Sequence, residues 1–115
     1  MKRKAIPKQI RDLVYKKYNG HCAYCGCKLE YKDMQVDHVA SVYFYNGQDT
    51  IDNLMPACRM CNFYKSTFTI EQFRERIETL YERLHALFIY RLAIKYGLIQ
   101  ENKRKVLFYF ERKDT

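Results

Sequence analysis

The amino-acid sequence predicts an α+β chain: a small strand-and-helix core stapled by metal, flanked by an N-terminal helix, a long C-terminal helix and a short C-terminal strand. Three observations carry that prediction. Apolar residues recur at helical spacing from Ile70 to Phe88, β-favouring residues cluster over 34–39 and 106–111, and two C-x-x-C pairs lie on either side of the first of those clusters.

Residues 8–18 read as a short helix, with Pro7 suited to the first turn, Ile10, Leu13 and Val14 sharing a face, and Gly20 able to end it. The Cys-rich, Gly-broken stretch 21–32 reads as a turn leading into a strand over 34–39, which sets Asp37 and His38 near a strand end. Residues 40–54 show no sustained period and contain Asn46-Gly47, so they form a loop with a tight turn. The aromatic run Val42-Tyr43-Phe44-Tyr45 in that loop could stack on unpaired bases, but packing against the long helix is the expected fate.

A helix over about 58–65 places Cys58, Cys61, Asn62 and Lys65 three and four residues apart. Thr69 and Gln72 form a capping-box signature. After them Ile70, Phe73, Ile77, Leu80, Tyr81, Leu84 and Phe88 make one apolar seam, read as a single helix reaching Gly97. Residues 106–111 then read as a final strand that adds to a small sheet.

At 115 residues, 48% hydrophobic and 16% aromatic, the chain has the size and core of one folded domain, 1–115, and is not disordered. No repeat or linker divides it. The 21 Lys and Arg against 13 Asp and Glu give a net charge of +8, which favours a polyanionic partner without choosing one. Residues 1–11 lack the apolar run of a secretory signal, and no stretch is long enough to span a bilayer. Five cysteines without such a signal suit a reducing, cytoplasmic setting, where thiolates bind metal more readily than they form lasting disulfides.

Cys22-Ala-Tyr-Cys25 and Cys58-Arg-Met-Cys61 supply four soft ligands for a tetrahedral ion, the donor set of structural zinc. With all four positions taken by protein, such an ion has no place for a reacting water. Cys27 could replace Cys25, but the spacing favours the two C-x-x-C pairs and leaves Cys27 a spare thiol.

Between and after the pairs run Asp37-His38, Asp52-Asn53-Leu54 and Cys61-Asn62-Phe63-Tyr64-Lys65. The order C-x-x-C, Asp-His, Asn-Leu, C-x-x-C-Asn-x-x-Lys resembles the HNH endonuclease family over about residues 20–66. The resemblance implies a β-hairpin and helix gripping one catalytic metal, the ββα-metal core. It implies hydrolysis of DNA phosphodiester bonds to a 5′-phosphate and a 3′-hydroxyl. His38 is then the general base, Asp37 and Asn62 hold the metal, and Asn53 holds the loop that orients His38.

The chemistry suits those residue types. A neutral imidazole is an effective proton acceptor near neutral pH. A carboxylate and an amide oxygen bind a hard ion, so Mg²⁺ or Mn²⁺ is expected in that site, more so because Asn62 stands where many family members carry histidine. Residues 39–41 also lack the proline common after the Asp-His pair. Lys65, on the face of Asn62, and Arg59 are expected to touch phosphates.

No base-reading module is evident, so double-stranded DNA cut with low sequence specificity is the expected substrate. Small free-standing members of the family are common in phages and prophages, and a protein partner in a phage or defence complex could use the long helix. The rival reading is a non-catalytic, zinc-stabilised module that binds nucleic acid or protein.

Overall fold

The structure is a computed structural model and describes residues 5–112. They form two compact units, one built from the residues up to Ile70 together with those from Leu107 onward, the other from Glu71–Val106. No helix among the described residues is long and apolar enough to cross a membrane.

The first unit opens with α1, Lys8–Lys17, directly after Pro7. Its inward face is narrower than expected, because Val14 is buried while Leu13 is 54% exposed. Polar side chains do much of the fastening instead. Arg11 donates to the carbonyls of Tyr31 and Met34, Tyr15 to that of Leu29, and Lys17 to those of Ile51 and Leu54. These bonds tie α1 to the carbonyls of the turn before β1 and of the approach to β2.

Strand β1, Gln35–His38, pairs antiparallel with β2, Leu54–Ala57, setting Asp37 opposite Met55 and His38 opposite Leu54. Helix α3, Arg59–Lys65, follows at once. The hairpin-then-helix core expected from the resemblance is therefore present. All four residues of β2 are buried, and they share a core with Val14, Ala23, Tyr24, Leu29, Met34 and Phe108.

The connection between the strands carries a four-residue helix, α2, Val42–Tyr45, capped by Ser41, whose Oγ accepts from the amides of Tyr43 and Phe44. Asn46 ends it in the left-handed conformation at φ 54. Gly47 follows because nothing larger fits: a Cβ there would lie 1.8 Å from the carbonyl oxygen of Ala40.

Two flanking elements differ from expectation. Residues 106–111 form no strand. The amide of Phe108 is taken by the Glu111 carboxylate, residues Tyr109–Glu111 close into a 3₁₀ turn, and the amides of Tyr109 and Phe110 donate to the carbonyls of Tyr24 and Ala23. The aromatic run is thereby used as packing, with Phe108 and Phe110 set edge-on to Tyr24, rather than as a ladder.

In the second unit the single long helix is three: α4, Ile70–Glu78, whose first residue still counts with the first unit, α5, Leu80–His85, and α6, Phe88–Lys95. The apolar period survives the breaks, so it could not reveal them. At the second break Leu87 is extended, and Arg91 donates to the freed carbonyl of His85. The His85 ring meets the Glu101 carboxylate and the rings of Tyr81 and Tyr90, a structural cluster that tethers the turn.

Candidate active site and metal centre

Cys22, Cys25, Cys58 and Cys61 converge with their sulfurs all within 4.8 Å of one another. The Cys25 and Cys58 sulfurs are 3.8 Å apart, and a tetrahedron of sulfurs about 2.3 Å from a central ion has edges of about 3.8 Å. The amide of Tyr24 points at the Cys22 sulfur and that of Cys61 at the Cys58 sulfur. Amides aimed at sulfur favour thiolate, the form that binds metal. Accepting from the Cys61 thiol and from neighbouring amides pulls Cys22 down to about 4, while Cys61 is pushed up by the same contact. The donor set thus fits a structural zinc site.

Cys27 stays outside the cluster and is exposed. Burial of its sulfur beside Cys25 pushes its thiol up to about 12, and its carbonyl accepts the Cys22 amide, which shapes the turn.

A cleft of about 170 Å³ opens at the end of the hairpin, lined by Asp37, His38, Asn62, Ser41, Tyr43 and Ser66 among others. The pairing of β1 delivers Asp37 and His38 to it, and α3 delivers Asn62. Ser66, the residue after α3, holds φ 50 and ψ −125 without being glycine. Such a conformation costs on the order of 1–3 kcal/mol and tends to occur where the chain is bent for function.

Asp37 is 4% exposed and heavily held. The Tyr24 hydroxyl donates to its Oδ2 at 2.5 Å, and the Lys65 ammonium lies 3.0 Å from the same oxygen. Burial pushes the Asp37 carboxyl up, and Lys65 and Tyr24 oppose that shift. Lys65 also approaches Oδ1, at 3.4 Å, and the carboxylate lines the cleft.

Lys65 is where the sequence reading fails. It is fully buried, bonded to Asp37 and to the His38 carbonyl at 2.9 Å, and does not reach out to a phosphate. Its spacing from Asn62 was read as a shared face. The side chain instead turns beneath the hairpin, because Asp37 needs a cation there more than the surface does. Arg59 is exposed at the start of α3.

Asn53 closes the loop. Its Oδ1 accepts from the Ala40 amide, and its Nδ2 donates to the carbonyls of Ala40 and Gln48. One residue escaped sequence analysis altogether: Asp49, whose Oδ1 is 2.6 Å from His38 Nε2. A carboxylate only accepts, so Nε2 bears a hydrogen, which in a neutral ring leaves the lone pair on Nδ1. Loop acids are common, and only the path of residues 39–53 brings this one to His38.

The HNH endonuclease family model matches residues 22–68, the stretch that holds both cysteine pairs, the hairpin and α3. Over those residues the chain is similar to the HNH endonuclease family. YoqL, an SPbeta prophage-derived protein of Bacillus subtilis (strain 168) named for the same family, is 31% identical over an alignment covering 55% of this chain. This chain spans 32% of the length of that relative. Among solved structures, the Type II-C Cas9 enzyme from Actinomyces naeslundii shares the fold at TM-score 0.55 and 23% identity, over 66% of this chain and 8% of its own.

The contribution of the Asp37–Lys65 pair to stability can be tested directly. Lys65→Met leaves a buried carboxylate without its cation, which should cost about 3–5 kcal/mol. Urea unfolding of zinc-loaded protein should show that loss, and Asp37→Asn added to Lys65→Met should recover part of it. Unchanged unfolding of Lys65→Met would refute a stabilising pair.

Proposed function

We propose that this protein is a metal-dependent endonuclease that hydrolyses DNA phosphodiester bonds. The observation that carries the reading is the meeting of Asp37, His38 and Asn62 at one cleft on an HNH hairpin and helix. Zinc occupies the four cysteines and serves as a staple, closed to substrate. Asp37 and Asn62 would hold one Mg²⁺ or Mn²⁺, which when bound neutralises charge on the phosphate and on the departing 3′-oxygen.

His38 takes the proton of the attacking water at Nδ1, the nitrogen that the Asp49 contact leaves bare. Asn53, through its three bonds, keeps the backbone at Ala40 and Gln48 in place and with it the ring of His38. Lys65 keeps Asp37 ionised in its buried setting. Arg59 and the +8 charge of the chain attract the phosphate backbone without reading bases, so double-stranded DNA is cut with little sequence preference, leaving 5′-phosphate and 3′-hydroxyl ends. A phage or prophage origin and action in the bacterial cytoplasm agree with the YoqL likeness.

Asp49 is a positioning residue in this reading, since it acts through His38. Asp49→Ala should lower kcat by about tenfold to a hundredfold while leaving KM nearly unchanged, as for other groups that orient a functional ligand. Asp49→Asn, which keeps an acceptor oxygen, should recover part of the loss. Single-turnover cleavage of a labelled duplex measures both, and an unaltered kcat in Asp49→Ala would remove Asp49 from the mechanism.

A further inference from the structure

Helix α2 presents three consecutive aromatic side chains to solvent: Tyr43 is 76% exposed, Phe44 71% and Tyr45 49%. The expected burial of this run does not occur. Rings that each can bury about 150–250 Å² are seldom left in water in a row without a partner.

The turn that carries them is pinned. Ser41 caps it, the Gly47 amide donates back to the Ser41 carbonyl, and Asn53 clamps Ala40 and Gln48 on either side. A backbone held in this way loses little freedom on binding, which favours recognition. Tyr43 also lines the cleft that contains Asp37, His38 and Asn62, so the aromatic surface is continuous with the site of cleavage.

We infer that α2 is a stacking platform for unpaired nucleobases beside the scissile phosphate, and that the protein prefers DNA with single-stranded or locally unpaired segments to an intact duplex. The inference rests on the nuclease reading above and puts unpaired segments in place of the intact duplex as the preferred substrate. Charge complementarity selects the occupant, because a chain of net charge +8 draws a polyanion to its surface. The π-faces of a paired base are already covered by its neighbours, whereas an unpaired base offers both, and base–aromatic stacking needs no sequence readout.

The test is strand preference in binding, with zinc-loaded His38→Ala protein, a fluorescent oligothymidylate and a fully paired duplex of equal length. The single strand should bind about tenfold more tightly or better. Tyr43→Ala with Phe44→Ala should bring the two affinities to within about twofold, zinc content and thermal transition confirming the fold.

On protein with α2 intact, 5-bromouracil in the oligonucleotide should photocrosslink to residues 42–45. Equal affinity for the two DNAs, a preference that survives the double substitution, or crosslinks confined elsewhere would each overturn the platform. Binding needs no turnover, so failure of the nuclease reading registers separately, as wild-type protein that cuts no DNA.

Discussion

His38→Ala protein is expected to keep its zinc and its fold while losing metal-dependent conversion of supercoiled plasmid to nicked and linear forms. General-base catalysis contributes about a hundred- to ten-thousand-fold, so residual cutting should fall within that range below wild type. The substitution is structurally light. The side chain of His38 is 18% exposed and meets Asp49, while the backbone role of the residue, its carbonyl accepting from Lys65, survives truncation. Wild-type rates in His38→Ala would assign the proton transfer to another group. Absence of cutting by folded, zinc-loaded wild type with Mg²⁺ or Mn²⁺ would instead favour the binding-module reading.

Cys58→Ser, or removal of the metal by a chelator, should unfold much of the first unit. Structural zinc contributes on the order of 10 kcal/mol of apparent folding free energy at neutral pH, comparable with the whole stability of a small domain. Cys58 is also the N-cap of α3, its sulfur accepting from the Cys61 amide, a role that a serine hydroxyl can keep, so the loss in Cys58→Ser reports the missing metal ligand. Zinc stoichiometry and a circular-dichroism melt check the expectation. A thermal transition unmoved by chelation would mean that the four sulfurs do not staple the fold.

Local chemistry was the legible part of this molecule. Two C-x-x-C pairs can meet one ion in few ways, and the alternating run that sets Asp37 and His38 at a strand end needs only its neighbours. The less legible parts depend on distant residues. Strand β2 is disguised by Pro56, tolerable because the sheet has only two strands and the Pro56 carbonyl still accepts from Ala23. Residues 106–111 have strand composition, yet their amides are claimed by Glu111, Tyr24 and Ala23.

The helical seam from Ile70 was real, but an apolar period does not register where the backbone breaks at Leu87. Lys65 was misread because spacing along a helix says which face a residue shares and not what lies beneath that face. Asp49 and the exposed rings of α2 belong to a loop whose course is set by Gly47 and Asn53, and composition alone does not trace that course.

Tyr24 stands between Cys22 and Cys25, inside the turn that carries two of the four clustered thiols, and its hydroxyl ends on the Asp37 carboxylate that lines the cleft. One phenol therefore bridges the cysteine cluster and the cleft. A change that shifts the cysteine turn moves the hydroxyl that holds Asp37, and any coupling through it acts on binding free energies in both directions alike.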